Sequence, residues 1–127
     1  MSLHIPGLYI APSPRGGRGV FTAEAIDEGA LIEICPVIVL NEQDLEKVHQ
    51  TALHDYYFLW GDKGCAIALG YGSLYNHASD PNADYAMDFE RETIDVVCIR
   101  PIAAGEEITF NYVDGGDQRT NLWFEEK

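Results

Sequence analysis

The chain has 127 residues, 46% of them hydrophobic, which suits one globular core and argues against a disordered chain. Its 21 acidic residues against 8 basic ones give a net charge of −13, so its surface repels nucleic acid and anionic membranes and attracts a basic protein or peptide. No apolar run is long enough to span a bilayer, and the start lacks the basic-then-apolar pattern of a signal peptide. Cys35, Cys65 and Cys98 are too widely spaced for a zinc site or a disulfide framework, which fits a reducing, intracellular setting.

The expected elements, in chain order, are mostly short strands. Leu8–Ala11 is a short apolar stretch ended by prolines, and Arg15–Gly19 is a glycine-rich turn. Val20–Ile26 reads as a strand, Asp27-Glu28-Gly29 as a turn, and Ala30–Leu40 as a second strand. Pro36 interrupts that strand and predicts a sheet edge or a bulge there. Asn41 can cap a helix whose apolar positions Leu45, Val48, Ala52 and Tyr56 predict a helix running to about Trp60. Cys65–Leu69 is a further strand, Ala83–Phe89 and Thr93–Ile99 an antiparallel pair, and Glu106–Tyr112 a last strand. On that strand Ile108, Phe110 and Tyr112 share one face, with Thr109 and Asn111 on the other. A short echo joins residues 25–34 and 101–110, which share Ile-x-x-Gly-x-x-Ile.

Taken singly, the polar motifs say little. Gly17-Arg18-Gly19 suits a plain turn as well as a close backbone approach to a ligand, and no phosphate-loop or dinucleotide signature follows it. The four histidines form no ligand motif with a carboxylate, so no metal is expected. Most aromatic residues suit a core. Tyr112 is different, because it ends a strand beside Asn111, Asp114 and two glycines, where a ring with a polar tip fits the mouth of a pocket. Several aromatic faces together can hold a cation.

In combination the motifs are specific. "GGRGVFTAEAIDEGALI", then "YNHASDPNA", then "IRPIAAGEEITFNY" resemble, in that order, the SET domain family of protein lysine methyltransferases. The resemblance covers roughly Tyr9–Tyr112, and the length is similar to that of the compact stand-alone viral and bacterial members. It implies a mostly β SET-domain fold, with small curved sheets around a C-terminal pseudoknot and one longer helix. Residues 1–127 would be a single domain, with a motif-bearing core at 9–112 and a closing segment at 113–127.

The resemblance also implies a function and a site. The function is transfer of a methyl group from S-adenosylmethionine to a lysine side chain of a basic protein: a histone, a histone-like protein or a ribosomal protein. Gly17, Arg18 and Gly19 match the first cofactor motif, and Asn76 and His77 the second. Tyr112 matches the catalytic tyrosine. Tyr56, Tyr85 and Phe110 match positions of the lysine channel, while Trp123 and Phe124 lie where a C-terminal segment covers channel and cofactor. Where the family often carries arginine, serine-cysteine and aspartate, this chain has Ser73, Ala78-Ser79 and Asn111. The tail after Tyr112 has only fifteen residues, so part of the lid is expected from a second subunit, in a homodimer, or from the substrate. The compartment implied is cytoplasmic for a bacterial protein and nuclear for one acting on chromatin. Two other readings fit the composition: a catalytically inactive SET-fold module that binds a basic partner, and an acidic mimic of nucleic acid.

Overall fold

The computed structural model describes residues 3–112. Trp123 and Phe124 lie outside the described residues. The chain is mostly β, as expected, with ten strands among the described residues: β1 (Leu3–His4), β2 (Leu8–Pro12), β3 (Arg18–Thr22), β4 (Leu31–Leu40), β5 (Tyr57–Trp60), β6 (Gly64–Ala68), β7 (Asn76–His77), β8 (Ala83–Asp88), β9 (Thr93–Cys98) and β10 (Glu107–Phe110). One sheet runs β5-β6-β4-β9-β8 with β1 also on β4, and the other runs β2-β3-β10-β7. One cluster of buried side chains draws on both sheets; Val20, Ile108 and Phe110 from the smaller sheet join Ile32, Val96 and Phe58 from the larger.

The one α-helix among the described residues, α1 (Glu42–Val48), starts where Asn41 predicts, with the Asn41 side chain accepting from the Asp44 N–H at 2.8 Å. It does not continue to Trp60. A 3-10 turn capped by Thr51 covers Ala52–Asp55, and the aromatic run after it extends as β5, paired with β6 from Tyr57↔Ile67 to Trp60↔Gly64. Ala52 and Tyr56 continue the helical spacing by coincidence; an aromatic-rich run with a pairing partner prefers the pleated sheet.

Pro36 does not mark an edge. β4 is interior to its sheet: residues up to Pro36 pair with β9, and Val37–Leu40 pair with β6. Pro36 sits where the partner changes, accepting from the Leu69 N–H at 2.9 Å with no N–H of its own to return. The irregularity in this strand lies between Leu31 and Glu33.

The sequence echo has a structural counterpart. Ile26 and Ile102, the first residues of the two Ile-x-x-Gly turns, form an isolated antiparallel bridge with bonds of 2.8 and 3.0 Å in both directions. The turn glycines that follow, Gly29 and Gly105, adopt φ of 91° and 87°, a region that side chains other than glycine rarely occupy. The bridge ties the entry to β4 to the entry to β10.

β10 positions the site. It pairs antiparallel with β3 and parallel with β7, so Thr109 faces Asn76 and Phe110 faces His77. All four of its residues are buried, including Glu107. The segment after β7 returns beneath it: Asn82, 2% exposed, donates to the Glu107 carbonyl at 2.8 Å and accepts from the Thr109 N–H at 2.9 Å. Arg100 holds the corner before Asn82 by bonds to the Asp80 side chain (3.1 Å) and carbonyl (2.8 Å). The three cysteines are free and buried; burial pushes their thiols up, that of Cys65 to about 11, which leaves them poor nucleophiles.

Candidate active site

A cleft of about 480 Å3 opens between the glycine-rich turn, the end of the 3-10 turn and β7. That is within the ~300–1,000 Å3 usual for small-molecule sites. Its walls carry Arg15, Gly16, Gly17 and Arg18 on one side, Asp55 and Tyr56 on another, and Ser73, Leu74, Tyr75, Asn76, His77 and Tyr112 along the floor. A second concavity of about 490 Å3 adjoins it, sharing Arg15 and His77 and reaching Ala78, Ser79, Asp80 and Arg100. Ser73 spends its hydroxyl on the Ala68 carbonyl (2.8 Å), so the side-chain cations at the cleft come from Arg15 and Arg18.

The Asn76 side chain is held in one orientation. Its Nδ2 donates to the Arg18 carbonyl (3.0 Å) and to Glu107 Oε2 (2.8 Å). Two acceptors at that end identify it as the nitrogen end. Among the described residues Asn76 Oδ1 accepts no side-chain or backbone hydrogen bond, so it is available to a donor in the cleft. Gly19 does not line the cleft. It packs against this pair instead, and a Cβ there would overlap Glu107 Oε2 and come within 2.8 Å of Asn76 Nδ2.

Tyr112 joins the cleft to a buried cluster of aromatic rings. Its hydroxyl donates to the Tyr75 carbonyl at 2.6 Å, its backbone N–H donates to His77 Nδ1 at 3.2 Å, and its ring stacks on His77 at 6.2 Å and 17°. On its other side stand Phe110, Phe58 and Tyr85, with ring centroids 5.0, 5.7 and 6.3 Å away. Burial first, and the neighbouring Tyr85 second, push the Tyr112 phenol well up, so at neutral pH it is a hydrogen-bond donor and not a phenolate.

The sequence-derived residues therefore separate into groups. Gly17, Arg18, Asn76, His77 and Tyr112 meet at the cleft. Tyr85 and Phe110 meet Tyr112 in the aromatic compartment, 4.8 Å from each other. Tyr56 lines the cleft but is 42% exposed. Phe58, two residues later and 3% exposed, stands in the compartment; it was hidden by the over-long helix. Glu107 and Tyr75 also went unmarked. Tyr75 is fixed at both ends, its hydroxyl on buried Glu33 (2.7 Å) and its carbonyl under Tyr112. Among the described residues no cluster of three or more His, Cys, Asp or Glu could hold a metal, and no helix is long and apolar enough to cross a membrane.

An open polar cleft and a buried cluster of aromatic rings therefore share one tyrosine, Tyr112, as their common wall. Comparison with known proteins makes the class specific. Residues 17–113 match the SET domain family. The chain is 35% identical over 121 residues to a Schizosaccharomyces pombe histone-lysine N-methyltransferase described as H3 lysine-37 specific, covering 94% of this chain and 78% of that one. It is similar to a crystal structure of a Plasmodium falciparum protein described as a candidate histone methyltransferase, with a TM-score of 0.69, 30% identity, and coverage of 86% and 95%. It also shares its fold with a chain of the Chaetomium thermophilum Polycomb Repressive Complex 2, at a TM-score of 0.74 and 23% identity, covering 86% of this chain and 16% of that one. The chain belongs to the SET domain family of protein lysine methyltransferases, and its enzyme class is that of the family, protein-lysine N-methyltransferase.

Proposed function

We propose that the chain transfers a methyl group from S-adenosylmethionine to a lysine of a basic nuclear protein, a histone in the first instance. One observation carries this reading: Tyr112 lines the cleft while packing against Phe58, Tyr85 and Phe110, so a ligand in the cleft and a side chain in the aromatic compartment would meet at its hydroxyl. The cleft residues fit the cofactor. Asn76 Oδ1 offers an oriented acceptor to an ammonium, the Arg15–Arg18 turn offers cations to a carboxylate, and the concavity beyond His77 has room for a flat base. When bound, the cofactor supplies an electrophilic methyl group on a positively charged sulfur.

The chain's residues then have three tasks. The aromatic compartment excludes water and favours the neutral amine of lysine, which in water is protonated up to a pKa of ~10.4. Phe58, Tyr85 and Phe110 align that amine, so much of the rate gain comes from orientation. The Tyr112 hydroxyl, pinned on the Tyr75 carbonyl, holds the reacting groups in line without acting as a base, because its proton is held tightly. The net charge of −13 supports a basic substrate and its attraction toward the site. The name of the fission-yeast relative supports a histone.

Thermal melting tests the cofactor step. A ligand that binds only the folded state raises the midpoint, by an amount set by its concentration relative to Kd. Saturating S-adenosylmethionine is expected to raise the midpoint by several degrees, and ATP, which shares the adenosine, by much less. An unchanged midpoint with S-adenosylmethionine at millimolar concentration would contradict the reading.

A further inference from the structure

Glu107 is the charged side chain of the fully buried strand β10, and neither family resemblance nor strand pattern assigns it a task. Its side chain is 6% exposed. Oε1 accepts from Ser13 Oγ at 2.8 Å and lies 3.5 Å from Arg15 Nη1, and Oε2 accepts from Asn76 Nδ2 at 2.8 Å. Burying such a group is costly unless each oxygen is satisfied, and here the partners are parts of the cleft itself.

We propose that Glu107 is the positioning residue that makes the cleft recognise an ammonium group. It rests on the cofactor reading above. Without Oε2 the Arg18 carbonyl alone would hold the Asn76 amide, and in the turned-over orientation its NH2 would face the cleft and repel a cation. With Glu107 in place, both Nδ2 hydrogens have acceptors and Oδ1 is left for the ligand. The same carboxylate adds negative charge behind that oxygen and anchors Ser13 and Arg15 of the turn opposite. Gly19 is glycine because the carboxylate–amide pair occupies the space where its side chain would stand.

Two nucleosides separate this role from a merely structural one. S-adenosylhomocysteine carries the ammonium, and 5′-methylthioadenosine shares its adenosine and sulfur but lacks the amino acid. Binding of each is measured by calorimetry to the unaltered protein and to Glu107→Met and Glu107→Gln, with melting midpoints confirming that each variant is folded. Glu107→Met is expected to weaken S-adenosylhomocysteine roughly tenfold or more, as loss of a hydrogen bond to a charged group does, while 5′-methylthioadenosine changes less than about twofold. Glu107→Gln, which can still accept from Asn76, should stay within about threefold for both. Should the methionine variant not fold, Gly19→Ala displaces the same pair sterically, and the same selective loss is expected. Equal weakening of both nucleosides, or none, would overturn the proposal. Binding of neither nucleoside to the unaltered protein would overturn the cofactor reading, and this inference with it.

Discussion

Tyr112→Phe is expected to slow methyl transfer by roughly 10²-fold or more, the usual cost of removing one oriented polar group from a reacting centre. The variant keeps the ring that packs against Phe110, Phe58 and Tyr85, so the aromatic compartment should stay closed. It keeps the backbone N–H that reaches His77, so affinity for S-adenosylmethionine should change less than about twofold. The loss should therefore fall on kcat. Single-turnover transfer at saturating cofactor checks this, and full activity in the variant would refute the assigned role. The pH profile gives a second check. The substrate amine must lose a proton, so the rate rises with pH. The Tyr112 phenol, pushed well above its ordinary value of 10.0, keeps its proton across that range and should add no falling limb near that value.

Asn82→Ala is expected to be the most damaging single change outside the cleft. The residue bridges two main-chain groups of β10, donating to the Glu107 carbonyl and accepting from the Thr109 N–H. Both are buried, so the alanine variant leaves a donor and an acceptor without partners. At about 1–3 kcal/mol for each of the two unsatisfied groups, the loss is roughly 2–6 kcal/mol. For a chain of this size that corresponds to a fall in melting temperature on the order of 10 °C. Asn82→Asp keeps the acceptor and loses the donor, so it should lie between the alanine variant and the unaltered protein. A change of less than about 2 °C in the alanine variant would mean that the pairing of β10 with β3 and β7 holds the strand without this bridge.

How much of this was legible before folding depended on how local the cause was. The hairpin of β8 and β9 was legible because alternation, turn residues and partner all lie within twenty residues. Asn76, His77 and Tyr112 were legible through the order of three motifs, although their meeting requires a parallel pairing across more than thirty positions. The fate of residues 52–60 was not, because a helical spacing carried on by chance through Ala52 and Tyr56 concealed a strand whose partner follows it. Phe58 was lost with it. Glu107 illustrates a different limit. Alternation predicts one buried face, but β10 is paired on both edges and covered on both sides, so the polar face is buried too. Glu33 was silent for the same reason: nothing near it in the sequence announces Tyr75, 42 residues away.

The cleft and the aromatic cluster are proposed to carry out one transfer between them. The most direct measurement is intact-mass and peptide spectrometry of purified core histones, and separately of ribosomal proteins, after incubation with the protein and S-adenosylmethionine. A mass gain of whole methyl groups on lysine is expected, dependent on cofactor and lost in Tyr112→Phe. A protein that melts later with S-adenosylmethionine yet adds no methyl group to any of these basic proteins would contradict it, and would leave a binding module in place of an enzyme.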